Sequence, residues 1–311
     1  MTFFLFFIFV APIKSLEVLN IKENITQTNI TNSNKTNNYL NYNKTLFDLI
    51  LPNNDEGKII NGIPAISGGY PFMVSLGLYG SAGYRPLCGA SILSNQFVLT
   101  AAHCVKNFTN NYNMSSYFNK TGFRLTILSG IDNLSKVLPQ TQIIYIRKVS
   151  IHPNFTQVTD ASDMAILKTN TAILYNNRTQ PIKFPASSTV SAVYGKRLTT
   201  LGWGMTQTGS ISMALLTANM TVINNNDPLG QCGTYKTKFY CMKDLTTVQS
   251  NACFGDSGGP LVLKVNGSWV QYGIISFGTI GSNGICINTL PTFFTMVPTF
   301  MNWAKNQMTI L

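Results

Sequence analysis

Short apolar runs broken by Gly, Pro and Asn dominate the chain beyond residue 58. They read PFMVSLGLYG, ASILSNQFVLTAAH, FRLTILSG, QIIYIRKVSIH, MAILKT, GKRLTTLGWG, PLVLKV and WVQYGIISFG. Runs of this length at these intervals predict an all-β barrel or sandwich. A single stretch, Pro298 to Met308, has helical spacing, with Phe300, Met301 and Ala304 on one stripe. No internal repeat or coiled-coil heptad is present.

The N-terminal part has a different texture. Residues 2–11, TFFLFFIFVA, are too few for a membrane span of about 20 residues but suit a secretory signal, although no Lys or Arg precedes them. Residues 16–54 are polar, Asn-rich and without apolar periodicity, as in a pro-segment with little fixed structure. The expected organisation is a signal peptide over 1–15, a pro-segment over 16–58 and a folded domain over 59–311.

Composition sharpens this picture. Six cysteines suit three disulfides in an oxidising compartment and leave the pairing open. With two histidines and no C-x-x-C pair, a zinc site is disfavoured. Asn-x-Ser/Thr sequons are dense, in part because the chain is rich in Asn and Thr, and they fit a secreted glycoprotein. The formal charge is +11, which serves solubility first and also suits acidic substrates, glycans or anionic cell surfaces.

Candidate chemistry centres on Ser257 in ACFGDSGGP. Alone, a serine among glycines is turn chemistry. A nucleophile needs a base and a third group that orients the base. His103 lies in LTAAHC, His152 in IHPNF, and Asp163 opens an apolar strand in SDMAILKT. Each has a bland reading as a structural histidine or a strand-end aspartate.

Together, TAAHC, DMAIL and GDSGGP, in the order His103, Asp163, Ser257, resemble the trypsin/chymotrypsin family of serine endopeptidases, over Ile59 to about Met308. The resemblance implies two packed six-stranded antiparallel β-barrels with a C-terminal helix. It implies that Ser257 attacks a peptide carbonyl, His103 moves the proton, Asp163 orients His103, and the N–H groups of Gly255 and Ser257 form the oxyanion hole. It further implies a zymogen cut after Lys58, with the new Ile59 ammonium pairing with Asp256. Such a cut removes five basic and five acidic side chains and leaves the charge at +11.

Disulfides Cys88–Cys104, Cys232–Cys241 and Cys253–Cys286 follow from the same resemblance, while a fourth common pair is replaced by Leu198 and Leu263, expected to make an apolar contact. The primary pocket is assigned to Asn251, Ala252, Ser276, Phe277, Gly278 and Thr292. Asn251 stands where an aspartate would select Lys or Arg, and a neutral amide cannot neutralise a cation. Branched Thr292 makes the pocket shallow, so an uncharged residue of small to medium size is expected before the scissile bond, with large aromatics next.

Departures from the family pattern are Phe277 in place of Trp, a longer sequon-rich stretch from Asn107 to Gly122, and a longer segment from Thr279 to Ile285. The stretch GIDNLSK offers Asp132 alone where relatives bind calcium, so no metal and no cofactor are expected. Expected partners are polypeptide substrates, an activating trypsin-like protease and protein inhibitors of serpin or other type, with no nucleic acid and no membrane span. The alternative is a catalytically silent relative acting as a binding or inhibitory protein.

Overall fold

Strands form where the apolar runs predict them, because alternate side chains of each run find a barrel interior. The computed structural model describes residues 59–108 and 122–311. The expected signal, the pro-segment, Lys58 and residues 109–121 of the sequon-rich stretch lie outside the described residues.

In chain order the strands are β1 (Ile63–Pro64), β2 (Met73–Gly80), β3 (Gly83–Ile92), β4 (Phe97–Thr100), β5 (Arg124–Ser129), β6 (Gln142–Ile151) and β7 (Ala165–Thr169). Then come β8 (Arg197–Gly202), β9 (Leu216–Val222), β10 (Phe239–Lys243), β11 (Pro260–Val265), β12 (Ser268–Phe277) and β13 (Thr292–Met296). The first barrel closes in the order β2-β3-β4-β7-β6-β5. The second runs β9-β10-β13-β12-β11-β8 and closes through β8–β9 pairing, with short β1 added against β9. All pairings between named strands are antiparallel. This is the expected double barrel, and it resolves the choice between barrel and sandwich.

The C-terminal helix is α2, Val297–Ile310, slightly longer than its apolar stripe, with Met301 and Ala304 buried. One further helical turn, α1 (Ala102–Val105), carries His103. Periodicity cannot reveal a four-residue element. Strands β9 and β10 also lie outside the apolar runs: LTANMTV alternates buried and exposed positions only around Asn219, and FYCMK is apolar but short.

Three disulfides join Cys88–Cys104, Cys232–Cys241 and Cys253–Cys286, as expected. Leu198 is buried in the second core and Leu263 packs against that same core. Two buried contacts knit the barrels. Ser91 of β3 donates to Gln271 of β12 at 2.6 Å, and the Trp269 indole N–H reaches Gly69 O at 3.2 Å while its ring packs on Tyr70 and Phe72.

Candidate active site

Strand β4 ends at Thr100 and the chain turns at once into α1, which delivers a buried His103 to the seam between the barrels. The β6–β7 connection brings in Asp163, fully buried. One carboxylate oxygen, Oδ1, accepts His103 N–H of the backbone at 2.9 Å, and the other, Oδ2, lies 2.7 Å from His103 Nδ1. Ser276 Oγ donates to Oδ2 at 2.6 Å, and Thr295 Oγ1 donates to the Asp163 carbonyl at 3.0 Å. The imidazole is therefore held at one edge, in one rotation, by an acceptor that is itself fixed. With Nδ1 donating to the carboxylate, Nε2 is the nitrogen left for proton transfer.

Ser257 arrives from the second barrel, just before β11. Its carbonyl accepts Gly89 N–H of β3 at 2.8 Å, and Gly258 N–H donates to Ile275 O at 2.9 Å. Gly258, at φ 78°, presses so closely on Thr100 Oγ1 and Gly89 O that a β-carbon would collide with both. This tight approach seats the serine turn on the strand end that leads into α1. Gly255 adopts φ 89°, a backbone that L side chains avoid. In the same turn Asp256, Gly258 and Gly259 N–H groups are spent on backbone acceptors. Among the described residues, those of Gly255 and Ser257 have no such partner, which leaves two adjacent donors for an anion.

Asp256 points away from Ser257 into the protein. Its carboxylate accepts Gly204 N–H at 2.8 Å and Cys253 N–H at 2.9 Å, and is fully buried. Burial pushes its pKa up to about 7, against the pull of those two hydrogen bonds. Gly202 and Gly204 create the space, since a β-carbon at either would run into the carboxylate. The pair stands in the sequence as LGWG at the end of β8, a legible signal that nothing in the apolar pattern explains. Ile59 is wholly buried in the second core beside Ala252, and Ile60 O accepts Asn251 N–H at 3.0 Å.

The pocket residues are all buried, and Asn251 is wholly committed. Its amide donates to Ile287 O and Leu290 O, both at 3.1 Å, while its oxygen accepts Thr292 Oγ1 at 2.6 Å and Ala252 N–H at 3.0 Å. Phe277 stacks on Phe293 at 4.7 Å and packs against Tyr235 and Phe239, so its ring belongs to an aromatic cluster. The longer segment after Gly278 is a small ribbon: Ile280 bridges Cys286 and Gly281 N–H donates to Ile285 O.

His152 sits elsewhere. Its ring packs at 4.9 Å and 4.8 Å on Phe300 and Trp303 of α2, and burial holds its pKa below the ordinary value. Asp132 is tied to Arg178, Ser67 and Gly68 N–H. Cys88, His103 and Cys104 form the one cluster of metal-type ligands found among the described residues, and both sulfurs are consumed in their mutual disulfide. No described helix is long and apolar enough to cross a membrane.

The family profile described as Trypsin matches residues 59–304. Chymotrypsin-like elastase family member 1 of Rattus norvegicus is 29% identical over 259 residues, covering 81% of this chain and 90% of the relative. Coagulation factor XI of Bos taurus is 28% identical over 249 residues, 79% of this chain and 37% of that protein. Ovochymase of Halocynthia roretzi is 26% identical over 255 residues, 79% and 15%.

Proposed function

The chain belongs to the trypsin family of serine endopeptidases, and from that premise we propose that it is a secreted zymogen whose cut form cleaves polypeptides through His103, Asp163 and Ser257. The observation that carries this reading is the buried Asp163 carboxylate, shared by His103 Nδ1 and Ser276 Oγ, opposite a serine turn with two unused N–H donors. Ser257 Oγ attacks the scissile carbonyl while His103 takes its proton. The oxyanion so formed is held by Gly255 and Ser257 N–H, and its collapse expels the amine, which His103 protonates. Water then repeats the sequence on the acyl-enzyme.

Activation follows from the cost of burying Asp256. A carboxylate out of water, with two amide donors and no cation, is expensive as an anion. Cleavage after Lys58 frees an ammonium on Ile59, a residue whose side chain is already packed in the second core. Pairing of that ammonium with Asp256 fixes the turn that contains Gly255 and Ser257. Secretion, the signal over 1–15 and the pro-segment over 16–58 belong to the same proposal.

Specificity in this reading is for Ala, Val, Leu or Met before the scissile bond. The pocket floor has no charge, and the Asn251 amide is occupied by internal partners. Reaction with an active-site-directed organophosphonate tests the assignment: label is expected on Ser257, and Ser257→Ala or His103→Ala is expected to lose nearly all turnover because the group acts as a unit. Full activity in folded Ser257→Ala overturns the proposal.

A further inference from the structure

The strands of the first barrel carry five cations and no carboxylate: Arg85 on β3, Arg124 on β5, Arg147 and Lys148 on β6, and Lys168 on β7. Around this barrel β5, β6 and β7 are successive neighbours, so Arg124, the Arg147/Lys148 pair and Lys168 stand on adjacent strands about 4.8 Å apart, while Arg85 on β3 lies two strands beyond Arg124, across β2. Four of them are exposed and Lys168 is half-buried.

Three details make this more than a generally basic surface. First, Lys148 and Lys168 lie directly opposite in the β6–β7 register, a like-charge pair that costs stability. Their ammonium groups are drawn apart, Lys148 to Leu311 O at 3.0 Å and Lys168 over the Phe97 ring at 5.5 Å. Second, the register shifts between Ile146 and Lys148, and this bulge leaves two consecutive cations, Arg147 and Lys148, both facing solvent. Third, the chain after Lys58 has only six carboxylate side chains, and each is engaged by donors elsewhere in the fold, so no Asp or Glu balances this face. Two aromatic rings lie among the cations: Tyr145 beneath Arg124 at 4.9 Å, and Tyr79 at 6.5 Å from Tyr145.

We propose that the outer face of β5, β6 and β7, from Arg124 to Lys168, docks a linear sulfated polysaccharide. A row of cations across a sheet matches an extended polymer that repeats its charge, and half-buried tyrosine rings offer flat, partly apolar contacts for the C–H faces of pyranose rings. The pairing of like charges at Lys148 and Lys168 is relieved when sulfates sit over them. The proposal is independent of catalysis, since no residue of the face belongs to the site around Ser257.

The test uses the secreted full chain with Ser257→Ala, so that proteolysis does not interfere, on immobilised heparin across a salt series. Arg147→Gln/Lys168→Gln is compared with Lys196→Gln/Lys236→Gln, which removes the same charge from the second barrel. The first pair is expected to weaken binding about tenfold or more at physiological salt. It should also lower the slope of log affinity against log salt by about two, as counterion release from a polyanion requires. The control pair should move neither quantity much. The control variant should keep the parental Tm, and Arg147→Gln/Lys168→Gln should hold or slightly raise it, because it removes one member of the Lys148/Lys168 like-charge pair. Equal losses for the two pairs reduce the effect to net charge and overturn the proposal. So does stronger binding to phosphatidylserine vesicles or polyglutamate than to heparin with the same dependence on Arg147 and Lys168.

Discussion

Asn251, assigned to the proposed pocket floor, has every polar atom of its side chain engaged inside the protein. Its two amide hydrogens serve Ile287 O and Leu290 O and its oxygen serves Thr292 and Ala252, so it works as a clamp between the serine turn and the start of β13. Asn251→Asp is therefore not expected to create a Lys/Arg enzyme. A carboxylate cannot donate to the two carbonyls and would stand against them; each buried carbonyl left without a donor costs about 1–3 kcal/mol. The variant should be less stable and slower on every peptide, with Arg still below Leu in kcat/KM. Thr292→Gly, which deepens the floor, should shift preference from Leu toward Phe by about tenfold. Both are read from kcat/KM on matched peptides ending in Leu, Phe and Arg, and Arg as the best substrate of Asn251→Asp would refute the clamp. At this scale the sequence is informative wherever a residue's partners travel in a motif. His103, Asp163 and Ser257 stand out by their flanks, whereas the saturation of Asn251 does not, because all its partners but Ala252 lie 36 to 41 positions away. The sequence sets His103 apart through TAAHC, and the structure gives His152 its own place, packed on α2.

At the scale of elements, short apolar runs are enough to place most strands, because each run fills one side of a barrel wall. They fail for α1, where one turn has no period, for the short β1, β10 and β13, which no run covers, and for β9, whose outward Asn219 and neighbouring threonines dilute the pattern. Register, closure of each barrel and the ribbon after Gly278 come from contacts far apart in the chain and are invisible in any window of sequence. The disulfides show how elements are held once placed. Cys253–Cys286 closes 33 residues and ties the serine turn to the pocket ribbon, while Cys232–Cys241 closes nine within the second barrel. Loop-closure entropy gives about 3.7 kcal/mol for the first and about 2.6 kcal/mol for the second. Replacing each pair by alanines, with unfolding followed in guanidinium, should show the larger loss for Cys253–Cys286. That pair should also raise KM, since it holds a pocket wall; an unchanged KM would mean the ribbon keeps its place without the bridge.

For the whole molecule, the two barrels divide the proposed site: the first supplies His103 and Asp163, the second supplies Ser257 and the buried Asp256, and Ser91–Gln271 and Trp269 hold the halves together. The proposed coupling between cleavage after Lys58 and order at the serine turn would rest on the ionisation of Asp256, and this has a thermodynamic signature. In the uncut chain its folded pKa of about 7 stands well above the ordinary 3.8. For a carboxyl raised on folding, the native state holds the proton more tightly than the unfolded chain does. The stabilisation is complete below pH 3.8 and is lost as pH rises toward and through 7, a loss of about 4 kcal/mol by linkage. Uncut Lys58→Gln protein should thus become less stable between about pH 4 and pH 8, and Asp256→Asn in that background should remove most of this slope by removing the titration. Cleavage of the parental zymogen after Lys58 should flatten the slope in the same way, because the Ile59 ammonium stabilises the anion and lowers its pKa. Thermal unfolding of the three proteins across that pH range decides the matter: parallel slopes in all three would show that Asp256 is not the group that senses the cut.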